Sequence, residues 1–236
     1  MKAAQSIKAR ADKFKLIGGA ASLDFANTVG GRNEARVTER NSLEQVSADK
    51  LEEYADLLAW SRKSNLLTEQ EIRALQRKAQ DHPKAAAAVL KRAIHLREVI
   101  YRLFKAAIEG RQPVVADVVA LNEEWQLART HQRLVYEKDE FRFDWESGEI
   151  GLDKMLWLLA QSAASVLTSE RLLRVKQCEG EACGWIFLDT SHSGNRSWCD
   201  MRDCGNRAKI RRYRQKVKEK PPRRQGTKRT NNSRSD

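Results

Sequence analysis

The 236-residue sequence predicts a mainly α protein with a small β-hairpin. A helical N-terminal domain is followed by a C-terminal finger, built as a β-hairpin and then a helix in treble-clef-like order. Three observations carry this. Apolar residues recur at helical spacing through most of the first 170 positions. Leu134-Val135-Tyr136 and Phe141 to Trp145 flank Lys138-Asp139-Glu140, as the two arms of a hairpin would. All four cysteines fall between positions 178 and 204, in the pattern C-x4-C-x15-C-x4-C.

The elements follow in order. Residues 14–31 read as a short extended piece, a turn at Gly18-Gly19, and a short helix from Ser22 to Val29. The Ser22 hydroxyl is its expected N-cap. Residues 33–46 are polar and read as loop. A helix over 48–63, capped by Ser47, places Leu51, Tyr54, Leu58 and Trp60 at near-helical spacing. Thr68 opens the next, over 69–80, with Glu71 completing a capping box. A long helix spans about 83–109, with Pro83 near its first position and Gly110 beyond its end. Its buried stripe is Val89, Ile94, Leu96, Ile100, Leu103 and Phe104. Another helix runs from Pro113 to about Thr130. The segment 152–167 is apolar on most faces, which places it at the centre of the bundle. Beyond it, Leu172 to Val175 and Trp185 to Leu188 read as the finger's strands. The expected division is therefore a helical domain over 1–170, a finger over 171–220 and a disordered basic tail over 221–236.

Charge narrows the function classes. The net charge is +12, yet the stretch from Gly205 to Asp236 alone holds thirteen Lys and Arg against two acids. Nearly the whole excess lies in this terminal block, an electrostatic footprint for a polyanion. No window offers the roughly 18 apolar residues of a membrane span, so no membrane partner is expected. The opening MKAAQSIKARADK lacks the apolar stretch of a secretory signal. A cytoplasmic protein is expected, at the nucleoid when bound to DNA. No phosphate-cradling glycine loop, nucleophile elbow or paired-carboxylate motif stands in the sequence, so no enzyme is expected.

Cys178, Cys183, Cys199 and Cys204 form two short-spaced pairs joined by one loop. Each pair makes a turn that aims two sulfurs at one point, and four thiolates close the sphere of a tetrahedral Zn²⁺. A sphere with no vacancy is structural, and its binding energy is folding energy. Two disulfides or an iron–sulfur cluster are the competing readings. The missing export signal counts against the first. His192 sits mid-loop and, with four cysteines already sufficient, reads as a surface residue or as one just outside the ligand set.

The helix after the second pair has three stripes at about 100° per residue. Ile210, Tyr213 and Val217 are expected to pack on the finger's hairpin. Arg207, Arg211, Arg214 and Lys218 form a second stripe, and Lys209, Arg212 and Lys216 a third. Such a helix suits a groove or a phosphate backbone, because Arg bonds phosphate bidentately and reaches guanine edges. DNA is the expected partner. RNA is the alternative, with Trp185 and Trp198 available to stack on bases.

With these residues in hand, the sequence resembles the CGNR zinc-finger proteins, bacterial proteins with an N-terminal ABATE domain. The naming motif stands here as Cys204-Gly205-Asn206-Arg207, inside CEGEACGWIFLDTSHSGNRSWCDMRDCGNRAKIRRYRQK, residues 178–216. Leu23-Asp24-Phe25-Ala26-Asn27-Thr28-Val29, with Arg32 following, resembles the opening motif of the ABATE domain. The resemblance covers nearly the whole chain and implies stress-induced transcription regulation, with DNA bound by the finger. It implies no particular effector or target sequence.

The same residues also have a physical reading. Gly205 is expected to turn the backbone closely around the metal and offer its amide to a thiolate. Asn206 is expected to cap the helix or bond the crossover loop, where Asp189, Ser191 and Asn195 offer partners. Arg207 either holds that loop or touches phosphate. In the helical domain Asp24, Asn27 and Arg32 either line a small-molecule pocket between helices or are buried polar groups that fix the first helix. An Asp24–Arg32 pair would need no ligand. The helical domain's expected role is to sense a small molecule or to pair with a second copy of the chain.

Overall fold

The structure, a computed structural model, describes residues 6–33, 49–145 and 150–218. The expected tail lies outside these residues, as does most of the expected loop over 33–46. The helices of the first part are α1 (Ile7–Ala11), α2 (Ala21–Ala26), α3 (Tyr54–Lys63), α4 (Glu69–Asp81), α5 (Pro83–Ile108), α6 (Val115–Thr130) and α7 (Lys154–Leu167). Between α6 and α7 stands a hairpin of β1 (Gln132–Glu137) and β2 (Glu140–Trp145). A second hairpin, β3 (Val175–Gln177) and β4 (Ile186–Leu188), precedes α8 (Asn206–Lys218).

Several local signals act as expected. At α4 the Glu71 amide donates to the Thr68 hydroxyl at 3.3 Å, and the Thr68 amide donates to the Glu71 carboxylate at 2.7 Å. Pro83 opens α5, and Gly110 follows its end with φ +63°. The turn between β1 and β2 places both Lys138 and Asp139 at positive φ, the conformation whose twist matches paired strands. Leu134 lies opposite Phe143 and Tyr136 opposite Phe141, all four exposed on one face.

Three expectations need correction. First, α3 begins at Tyr54, not 48, and its capping box is made by Glu53 and Asp56. The Asp56 carboxylate accepts from the amides of Glu52 and Glu53 at 3.0 Å each, which fixes the start. The expected cap, Ser47, lies outside the described residues. Second, α2 runs only from Ala21 to Ala26, and Ser22 sits inside it, accepting at its hydroxyl from Ser162. It stops there because Asn27 turns its side chain toward β4. Third, Glu170 to Arg174 forms a 3-10 turn rather than the start of a strand. The chain swings off the end of α7 there, and Leu173 is left in solvent.

The core centres on α7, where Met155, Leu156, Leu159, Ala160, Ala163 and Val166 are buried. Helices α2 and α5 pack on it, and Phe25 of α2 lies edge-on to Trp60 of α3 at 5.0 Å between ring centroids. The second hairpin belongs to this core. Its register pairs Val175 with Leu188 and Gln177 with Ile186. Val175, Ile186 and Leu188 are buried in one cluster with Leu23, Ile100 and Met155. Phe187, on the opposite face of β4, is buried among the four cysteines instead. The hydrophobic core thus crosses position 170 without a break.

Candidate metal centre and basic helix

Strand β4 is the hinge of the site, because its alternation sends one face to the helical core and Phe187 to the sulfurs. The four cysteines are all buried, and their Sγ atoms lie within 4.8 Å of one another. Cys183 and Cys199 are 3.6 Å apart and Cys199 and Cys204 3.7 Å. A zinc tetrahedron with bonds of about 2.3 Å has edges of about 3.8 Å, so the spacing fits. The backbone is shaped to match: a Cβ at Gly180 would stand 3.2 Å from Cys204 Sγ and 3.4 Å from Cys178 Sγ. Cys178, Cys183, Cys199 and Cys204 therefore hold one structural zinc ion, whose role is to cross-link the two knuckles.

The charge of the cluster is shared. Cys178 is pulled down to about 7, chiefly by its hydrogen bond with Cys183. Cys204 is pulled down by Cys178, Cys183 and Cys199, with a smaller contribution from Arg207. Cys183 is pushed up chiefly by Cys178 and by Cys204, and Cys199 by Cys178, Cys183 and Cys204. A divalent cation ends this competition by accepting all four thiolates.

Hydrogen bonds surround the sulfurs. The Gly180 amide donates to Cys178 Sγ at 3.4 Å, and the Arg207 guanidinium to Cys204 Sγ at 3.3 Å. The expected amide from Gly205 is not among them. It donates to the Asp200 carbonyl at 3.1 Å, because residues 201–205 form a wide π-type turn. The crossover loop is stitched by Asp189, which accepts from the Ser191 hydroxyl at 2.6 Å, the Arg196 amide at 2.9 Å and Lys176 at 3.0 Å. The Ser191 hydroxyl is the main cause holding the Asp189 carboxyl well below the usual range. His192 is exposed, as expected of a surface residue. Asn206 is also exposed, and its side chain makes no hydrogen bond among the described residues.

Helix α8 overturns one expectation. Ile210, Tyr213 and Val217 do not pack on the hairpin; they are 45%, 69% and 53% exposed. Ala208 is the buried position. Its small side chain sets the helix against the knuckle, and the apolar stripe lies on roughly the opposite side of the axis.

The basic residues divide. Arg207 pairs with Asp203 at 3.1 Å, and Arg211 pairs with Glu181. Arg212 stacks over Trp198, 5.6 Å from the ring centroid. Lys209, Arg214 and Lys216 are exposed with no acidic partner among the described residues. A groove of about 590 Å³ runs along this side, lined by Trp198, Met201, Lys209, Arg212, Tyr213 and Lys216. The side chain of Lys218 lies outside the described part.

Asp24, Asn27 and Arg32 each have protein partners among the described residues. Asp24 is pushed up by burial, and this is partly offset by the amides of Gly18, at 2.7 Å, and Ile17. Asn27 donates to the Ile186 carbonyl at 2.8 Å and accepts from the Ile186 amide at 3.0 Å, so it acts as an extra strand partner for β4. Arg32 does not pair with Asp24. Its guanidinium donates to Glu98 at 2.6 and 3.0 Å and stacks 3.9 Å over Tyr101.

Asn33 is a residue that the sequence did not single out. Its amide donates to the carbonyls of Cys178, at 3.1 Å, and Gly180, at 2.7 Å. Beside it the Arg32 amide donates to the Cys183 carbonyl at 3.0 Å. The helical domain thereby grips the first knuckle directly. No local pattern marks such a residue, since its partners stand about 145 positions away.

Fold and site together define a helical domain carrying a four-cysteine zinc finger with a basic terminal helix. Residues 19–170 match the ABATE family model, described as "Putative stress-induced transcription regulator", and residues 174–217 match the CGNR zinc finger. The chain belongs to the ABATE family and carries a CGNR finger after that domain. No curated protein matches it.

Proposed function

We propose that this chain is a zinc-dependent, DNA-binding transcription regulator with no catalytic activity. The observation that carries the reading is α8. It holds seven Lys and Arg and no acid in its thirteen residues, and its outer surface is left open by the other described residues. Zinc fixes the direction of the helix, and the cations supply attraction to phosphate. The helical domain supplies the regulatory input, through a small molecule or a second copy of the chain. Its contacts with the first knuckle give that input a route to the finger. The expected place of action is the cytoplasm, at the nucleoid.

RNA is the second reading, favoured by one feature: Trp198 and Tyr213 line a cation-edged groove in which a base can stack. Crosslinking in cells followed by sequencing of the bound nucleic acid separates the two.

The direct test is a titration of the zinc-loaded protein against duplex DNA at several salt concentrations. Each phosphate neutralised contributes about 0.9 to the slope of log K against log salt. With Lys209, Arg212, Arg214 and Lys216 open, these four alone give a slope of about 3 to 4, and the basic residues beyond them can only steepen it. A flat response, or no binding, removes the reading.

A further inference from the structure

We infer that α8 enters the major groove of duplex DNA with Ile210, Tyr213 and Val217 facing the base edges, and that thymine methyl groups are the feature they read. This rests on the DNA-binding reading and adds to it an orientation and a recognised chemistry. The first ground is the direction of the apolar stripe. At about 100° per residue, Val217 lies roughly 180°, Ile210 roughly 160° and Tyr213 roughly 140° around the axis from the buried Ala208. The stripe therefore points away from the finger. Nothing among the described residues covers it.

The second ground is what flanks the stripe. Lys209, Arg212 and Lys216 lie along one side, and Arg214 lies on the other with Arg207 and Arg211 behind it. An apolar ridge between two cationic rows complements a groove whose walls are phosphate and whose floor is bases. A protein surface would have to bring acids on both sides of the ridge to match it. The major groove is about 12 Å wide and admits one helix. From Ile210 to Val217 the ridge rises roughly 10 Å, about three base-pair steps. Aliphatic and aromatic side chains discriminate there by contact with the C5-methyl of thymine. The rows are unequal: Arg207 and Arg211 are already held by Asp203 and Glu181, so the Lys209 row carries most of the phosphate contact.

The experiment begins with selection of preferred duplexes by the full-length, zinc-loaded protein from a library with randomised centres. Affinity is then measured for the selected duplex and for the same duplex with thymine replaced by deoxyuridine. The expected loss is about fourfold for each contacted methyl. In Ile210→Ala with Val217→Ala this difference shrinks to what Tyr213 alone contributes, about fourfold at most, while zinc content and the salt slope stay as in the wild type. In Lys209→Ala with Lys216→Ala the difference remains and the slope falls by about 1.8.

Equal affinity of the wild type for the two duplexes overturns the inference. So does tighter binding to single-stranded RNA or DNA that is lost in Tyr213→Ala, since the stripe then stacks bases. Conversion of a dimer to a monomer by the Ile210 and Val217 substitutions overturns it as well. In each case salt-dependent binding to duplex DNA can persist, which leaves the regulator reading standing. Absence of any duplex binding is the separate failure of that reading.

Discussion

At the scale of single residues, the informative side chains are those that bond backbone across long sequence distances. Asn33 donates to the carbonyls of Cys178 and Gly180, so it holds the knuckle whose sulfurs hold the metal. Groups that orient ligands typically govern metal affinity by 10–100-fold. Asn33→Ala is expected to weaken zinc binding by about 10-fold or more, read by competition with a chromophoric chelator, while leaving the sulfurs intact. Unchanged affinity would assign Asn33 to packing alone.

Asp56 makes a second case. Burial pushes its carboxyl up, but Lys13 at 2.7 Å, Arg10 at 3.0 Å and the amides of Glu52 and Glu53 outweigh this and hold it below the usual range. A carboxyl lowered on folding contributes stability that is present above its unfolded value, about 3.9. That stability is lost as pH falls through the lower folded value. Asp56→Asn should therefore cost about 2 kcal/mol at neutral pH, and the gap from the wild type should close as pH falls below about 3.9. Urea midpoints taken in chelator, so that metal release does not enter, measure both. A gap independent of pH would mean that shape, not charge, is what Asp56 provides.

At the scale of elements, legibility depended on how local the determining contact was. The Thr68–Glu71 box lies within four residues, and both it and the start of α4 could be read. The two short cysteine pairs fix a tetrahedral site by spacing alone, and that site is present. The start of α3 was misplaced by six residues. Leu51 and Tyr54 are spaced as in a helix, but Asp56 binds the amides of Glu52 and Glu53 and stops the helix before them. In α8 periodicity showed that Ile210, Tyr213 and Val217 share a stripe. It could not show what the stripe faces, because a basic amphipathic helix with a covered ridge and one with an open ridge have the same pattern. Ala208, the residue that decides the matter, carries no signal by itself.

At the scale of the whole molecule, the metal and the helical core are physically continuous. Val175, Ile186 and Leu188 are buried with Leu23 and Ile100. The opposite face of β4 buries Phe187 among the four cysteines. Asn27 bonds both backbone groups of Ile186, and the Arg32 amide bonds the carbonyl of the metal ligand Cys183. A ligand that binds only the folded state adds stability that grows with the logarithm of its concentration over its dissociation constant. With no boundary in the core to contain it, that added stability extends to α2 and α5. Removing zinc is therefore expected to lower the melting temperature of the helices, followed by far-UV circular dichroism, and calorimetry of the zinc-loaded chain should show one transition. Cys183→Ser should reproduce the chelator's effect without any chelator present. Two transitions, with the helical one unmoved by either treatment, would show instead that the core gives way at β4 before the helices feel the loss.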